Sequence, residues 1–291
     1  MITHLSRRAQ RGHFQLKRLS ARLCLGALSL SMFAQIASAE LNPKDPRSIM
    51  DAVSNRADGD KSKSRLVMTI IDKDGRKRER IVQSYSLDFK EGTKQVMYFE
   101  SPADIRGTGL LSVDYESGDR DDDQWLYLPS LHKSTRISSG DKSGSFMGTD
   151  LSYADMTESD PDHYEYKMLK ESAKVKLDGQ AEECWLIESR PKTKKAKDET
   201  GYVRSIVWVS KAKLMPVQLM AEIRKGKKTK YIQFKNIKQV DGLWTAHTIV
   251  ARTTRGKSVE STTILQFSEM SYNNADVNES LFQLTKLESG F

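Results

Sequence analysis

The chain has almost no cysteine and little histidine. Two cysteines occur in 291 residues, Cys24 and Cys184, and the first falls in a leader segment. One remaining thiol closes no intrachain disulfide, so the fold stands without that support. Beyond the leader the histidines reduce to His132, His163 and His247, far apart and without H-E-x-x-H; C-x-x-C is also absent. No zinc site is legible in such spacing. Also missing are a G-x-S-x-G elbow, a P-loop and a G-x-G-x-x-G turn, which removes the motif-based routes to hydrolase, nucleotidase and dehydrogenase chemistry. The acidic run Asp119–Asp123 lacks the calcium-loop pattern. The expectation is a protein without catalysis, cofactor or metal. No apolar run reaches the roughly 20 residues that cross a bilayer as a helix.

What the chain does have begins with an asymmetric N-terminus. Residues 1–22 carry Arg7, Arg8, Arg11, Lys17, Arg18 and Arg22 and no acid. The apolar run Leu23–Ala34 follows, and then Ala37-Ser38-Ala39. A basic segment, a short apolar segment and an A-x-A site are the marks of a secretory signal peptide. Cleavage is expected after Ala39, with residues 40–291 forming one domain in the periplasm. Removal of the leader leaves 41 basic against 39 acidic residues. Bulk charge then gives no reason to expect nucleic-acid binding.

Past the leader, one helix and many strands are expected. Asp45 suits an N-cap, Pro46 the first helical position, and Ile49, Met50, Val53 and Ala57 recur at helical spacing. Short strands bounded by turn residues then follow one another, starting with Leu66, Met68 and Ile70 on one face. Roughly ten to twelve antiparallel strands are expected, in a barrel or sandwich. The second half includes a lysine-rich turn near Lys194. Several strands are apolar on both faces: Trp125 and Tyr127 alternate with Leu126 and Leu128, and Ile206 and Trp208 with Val207 and Val209. Either helices cover the second face or it lines a cavity. Nine methionines beyond the leader suit an adaptable apolar lining.

Three segments carry a resemblance: Ser101-Pro102-Ala103-Asp104-Ile105-Arg106-Gly107-Thr108-Gly109-Leu110-Leu111, Trp125-Leu126-Tyr127-Leu128-Pro129, and Phe146-Met147-Gly148-Thr149-Asp150-Leu151-Ser152-Tyr153-Ala154-Asp155-Met156. In this order they resemble the outer-membrane lipoprotein-sorting proteins, the LolA-like periplasmic carriers. The resemblance extends over about residues 60–285. It implies a mainly β fold: an incomplete, strongly curved antiparallel β-barrel with short covering helices, whose hollow takes up acyl chains. It also implies lipid or lipoprotein acyl chains as ligand. An inner-membrane exporter of the RND type or an outer-membrane acceptor would be the partner. Met68, Ile70, Met97, Phe99, Leu126, Leu128, Met147, Leu151, Met156, Trp208, Met220 and Phe234 are expected to line the hollow. Ile49, Val53, Gly148, Asp150 and Tyr153 are expected in its lid. Gly148 is assigned a sharp turn there and Asp150 the cap of the short helix that follows. The alternative is a lipid-sensing regulatory module of the cell envelope with the same fold.

Overall fold

The computed structural model describes residues 41–116 and 120–290; the expected leader lies outside the described residues. Thirteen strands follow the helix α1 (Pro46–Ser54). They are β1 (Lys61–Asp72), β2 (Lys77–Phe89), β3 (Gly92–Ser101), β4 (Gly109–Tyr115), β5 (Asp123–Leu128), β6 (Lys133–Arg136), β7 (Tyr164–Leu177), β8 (Gln180–Pro191), β9 (Tyr202–Ser210), β10 (Met215–Ile223), β11 (Lys228–Val240), β12 (Leu243–Arg255) and β13 (Ser258–Tyr272). Two short helices complete the chain, α2 (Lys194–Thr200) and α3 (Leu284–Ser289).

All thirteen strands join one sheet, and every neighbouring pair runs antiparallel. The order is β6-β5-β4-β3-β2-β1-β13-β12-β11-β10-β9-β8-β7. Two meanders, β1–β6 and β7–β13, therefore meet where β1 pairs with β13. Strands β6 and β7 are the free edges. The result is the expected curved, unclosed sheet. It has one more strand than the upper expectation. Strand β7 is continuous over Tyr164–Leu177, although its register slips between Met168 and Lys170 and again before Ala173. Such irregularities break the alternation that marks a strand in sequence.

Register decides which side chains share a face. Leu66 and Met68 of β1 lie opposite Val82 and Arg80 of β2 on one side, and Phe267 and Leu265 of β13 on the other. With Ile70, Met97, Phe99, Leu110, Ile232 and Ala251 they form the main core. A second core lies on the opposite face of β2–β5. There Leu87, Val96, Tyr98, Leu111 and Tyr127 pack under Val277, Phe282 and Leu287 of the C-terminal segment. In the third, Ile49 of α1 is fully buried against Trp185, Ile187, Val207 and Val209. Leu219 of β10 touches both the main and the third core, which puts α1 on the same face as the main core.

Helix α1 starts as its sequence demands, with the Asp45 carboxylate accepting the Arg47 amide at 3.0 Å and Pro46 in the first turn. It stops at Ser54, short of Ala57. The lysine-rich stretch near Lys194 is the helix α2 rather than a turn. The Thr193 hydroxyl accepts the Ala196 amide, and Gly201 ends the helix in the left-handed region at φ +69°.

Candidate site under the flap

Residues 137–160 link β6 to β7, the two edge strands, and lie over the main core. Much of this flap's backbone bonding is internal. Phe146 N donates to Leu151 O at 2.8 Å and Tyr153 N to Gly144 O at 3.1 Å. The Thr149 hydroxyl is within 2.7 Å of Phe146 O and accepts from Leu151 N. Met147 (φ +49°) and Gly148 (φ +75°) both take left-handed backbone, which turns the chain sharply between Phe146 and Thr149. Gly148 therefore occupies a sharp turn; a Cβ there would meet open space, so its requirement is conformational rather than steric.

The turn drives Phe146 and Leu151 into the sheet. Phe146 is fully buried, 6.0 Å from the Phe99 ring and 5.6 Å from that of Tyr153. Polar anchors accompany this apolar contact; besides the three that follow, the fully buried Gln124 of β5 donates from Nε2 to Tyr153 O at 3.0 Å. At the first, the Asp150 carboxylate accepts from Ser261 Oγ at 2.5 Å and Thr263 Oγ1 at 2.7 Å, and its amide donates back to Thr263 Oγ1. At the second, buried Arg80 donates to Met147 O at 2.7 Å while lying over the Phe99 ring. Burial, and then the nearby Arg78 charge, lower the Arg80 pKa. At the third, Lys230 of β11 donates to Asp155 Oδ2 at 2.5 Å and to Tyr202 Oη at 2.8 Å, and Tyr202 Oη donates to Asp155 Oδ1 at 2.5 Å. Burial pushes the Asp155 carboxyl up. The Lys230 charge and hydrogen bonds outweigh that and hold it below the ordinary carboxylate range. Burial and the Asp155 charge push the Tyr202 phenol well up.

Most residues expected to line a hollow meet here. Met68, Ile70, Met97, Phe99 and Leu151 are buried in the main core, and Met147, Tyr153, Met156 and Phe234 pack at its margin. Leu126 pairs with Leu110 and so shares the face, as does Leu128 two residues on; both are half-buried. Two residues do not belong. Val207 and Leu219 pair and point toward α1 and the flap, so Trp208 and Met220, adjacent to them in sequence, face the other side of the sheet. Ile49 and Val53 reach the same sheet face from α1, over β7–β9 rather than over the flap's core. Asp150 is an anchor, not a cap: Ser152 caps the turn Tyr153–Met156 and forms a reciprocal capping box with Asp155. Sequence reasoning missed Arg80, Lys230 and the receiving hydroxyls of Ser261 and Thr263. Phe146 opens one of the segments that carry the family resemblance, but it was not among the residues expected to line the hollow.

Above the main core this face is covered by the flap's own side chains, chiefly Phe146 and Leu151. A ligand on this face must take their place. The flap brings together apolar area, a largely internally bonded backbone and a few discrete anchors, which are the parts of a removable cover.

A protein-family model described as "uncharacterized protein"-like matches residues 91–289. A search of curated proteins returns no match. Among solved structures, an outer membrane lipoprotein-sorting protein domain from Vibrio parahaemolyticus is 30% identical, with a TM-score of 0.73 over 85% of this chain and 100% of that one. A DUF1329 family protein from Desulfovibrio piger is also 30% identical, with a TM-score of 0.71 over 84% and 97%. A LolA superfamily protein from Nitrosomonas europaea shares the fold at 16% identity, with a TM-score of 0.60 over 82% and 98%.

Proposed function

This chain belongs to the family of outer-membrane lipoprotein-sorting and DUF1329 proteins, and on that premise we propose that it is a periplasmic carrier. It shelters the acyl chains of a lipoprotein or lipid on the concave face under the flap and passes them between membranes. The observation that carries this reading is the flap itself, a loop whose backbone bonds are largely internal, seated on an apolar floor. Lifting it strands few backbone groups, among them Met147 O, Asp150 N and Tyr153 O, so the cost centres on the interface and its polar anchors.

Magnitudes favour exchange over permanent occupancy. About ten methylenes moved from water contribute roughly 8 kcal/mol, the equivalent of about micromolar affinity. Cargo must also displace Phe146 and Leu151, which already bury apolar area there. The net affinity is lower than the gross figure, and it rises wherever the flap is weakened. That sign distinguishes a carrier from an ordinary core, in which every destabilising change only harms the protein.

The experiment follows from that sign. Purified protein is titrated with a fluorescent fatty acid and, separately, extracted for bound amphiphile by mass spectrometry. Wild type is expected to bind the probe and to yield acyl-bearing material. Asp150→Ala is expected to bind the probe more tightly while melting at a lower temperature. Lack of uptake by both proteins, across several lipid classes, sinks the proposal.

A further inference from the structure

Three neighbouring hairpin turns, β1–β2, β12–β13 and β10–β11, project from one end of the sheet. Register makes them neighbours: Asp72 lies opposite Ser261, Arg255 opposite Ser258, and Lys228 opposite Arg255. Exposed cations stand on each turn or at the strand end beside it: Lys73, Lys77 and Arg78 on the first, Lys257 on the second, and Lys225 and Lys227 on the third. None of these takes part in an ion pair among the described residues, because the nearby acids are already engaged. Asp72 and Asp74 pair with Arg76, Glu260 with Lys228 and Arg255, and Asp198 of α2 with Arg224. Exposed Glu79, near the start of β2, is the exception.

Each of the three turns leads into a strand residue that anchors the flap. Arg80, which donates to Met147 O, follows Arg78 on β2. Ser261 and Thr263, which hold Asp150, follow Lys257 on β13. Lys230, which holds Asp155, follows Lys227 on β11. Val203 and Val259, each 45% exposed, sit at or next to register irregularities beside the same lip. The opposite end of the sheet lacks this character. There Lys211 and Lys213 are paired with Glu183 and Glu182, and the β11–β12 turn is Asp241-Gly242. Cations that are exposed and not neutralised by neighbours are the ones that feel a negatively charged surface. A bilayer is flat, and the tips of separate hairpins reach a flat surface together. Exposed valines among lysines suit its interfacial layer, where lysine stems lie along apolar material and their charges stay in water. An acidic protein segment would call for a groove or a free strand edge, and turns supply neither.

We infer that these three turns form a docking lip for an anionic lipid surface, and that docking presents the flap to the membrane. The inference goes beyond the carrier reading. Vesicle binding is measured without cargo and cargo uptake without vesicles, so either reading can fail alone.

The test is co-sedimentation of the purified protein with phosphatidylcholine vesicles that do or do not contain phosphatidylglycerol, at low and at high sodium chloride. Binding is expected only to the phosphatidylglycerol vesicles, with release by salt. Lys225→Glu, Lys227→Glu and Lys257→Glu combined should weaken it about a hundredfold or more. An equal charge change at the opposite end, Lys174→Glu, Lys176→Glu and Lys238→Glu combined, should leave most of the binding in place. All six positions are exposed, so both variants should fold, and their melting temperatures check it. The inference is overturned if neither kind of vesicle binds, if both bind alike, or if the two variants are weakened equally. It is also overturned if the protein binds polyglutamate but not the anionic vesicles, which would give the lip to an acidic protein.

Discussion

Two covers lie on opposite faces of the same sheet, and they are built differently. The C-terminal segment closes its face around an apolar centre: Val277, Phe282 and Leu287 pack on Val96, Tyr98, Leu111 and Tyr127. The fit is close enough that a Cβ on Gly109 would approach Leu287 Cδ1 to 2.5 Å. Its surface ion pair among the described residues, Lys94 with Glu279, is mostly exposed on the acidic side and adds little. The flap also buries apolar side chains, but it adds the Asp150, Arg80 and Lys230–Asp155 anchors and a left-handed turn. One cover is part of the core; the other has discrete attachments that can be released separately. The lesson is that burial alone does not mark a functional surface. The manner of attachment does.

The comparison breaks most sharply at Lys230. Lys230→Met leaves the Asp155 carboxylate buried and unpaired, a loss of about 3–5 kcal/mol. Urea unfolding should show that loss, and probe uptake should rise. A stability loss with unchanged uptake would make the flap an ordinary core element. Leu287→Ala should cost about 3 kcal/mol through the cavity it leaves. Here uptake should stay at the wild-type level, because the opposite face is untouched; a rise in uptake would erase the distinction between the covers. Asp150→Ala should cost about 2 kcal/mol, since it removes two hydrogen bonds to a charged group and leaves the Ser261 and Thr263 hydroxyl protons without that acceptor. Its uptake should lie between those of wild type and Lys230→Met.

The smallest effect is a pH dependence. The Asp114 carboxyl ionises near 8 when folded and near ~3.9 when unfolded. Between those values the folded chain binds more protons, so this group lowers stability as pH rises through that window. Asp114→Asn should therefore raise the melting temperature by a few degrees at about pH 9 and change it little at about pH 4. Asp155 has the opposite sign, its pKa being depressed. Its contribution is present above the ordinary carboxylate range and is lost in acid, where probe uptake should increase. Equal melting shifts for Asp114→Asn at both pH values would remove this account of Asp114.

Much of the fold was legible because local rules and packing agree. Asp45-Pro46 starts α1 where capping chemistry puts it, and Leu66, Met68 and Ile70 face the core as their alternation requires. The failures come from registers and choices that sequence does not fix. Strand β9 is apolar on both faces, so nothing local says that Val207 rather than Trp208 turns inward; in β10, Gln218 and Glu222 flank Met220 on the outward face, a cue the sequence did hold. Asp150 and Ser152 are both good caps; only the placement of Thr263 and Ser261 on β13 recruits Asp150 as an anchor. Helix α2 was hidden by its charge, although Thr193 and Gly201 bracket it with standard caps. The Lys230–Asp155–Tyr202 group joins residues up to 75 positions apart, and Arg80 lies in a charged run, Lys77-Arg78-Glu79-Arg80, with nothing to single it out.

The sheet's topology has a mechanical consequence. In a closed barrel the bore is fixed by strand number and stagger. Here β6 and β7 never pair, and the peptide that runs directly from one to the other is the flap. The seam is thus spanned by the same segment that guards the interior, as a drawstring spans the mouth of a bag. Loosening it lets the lips part without breaking a single interstrand ladder, so girth can follow cargo, and one scaffold can accept tails that differ in number and bulk.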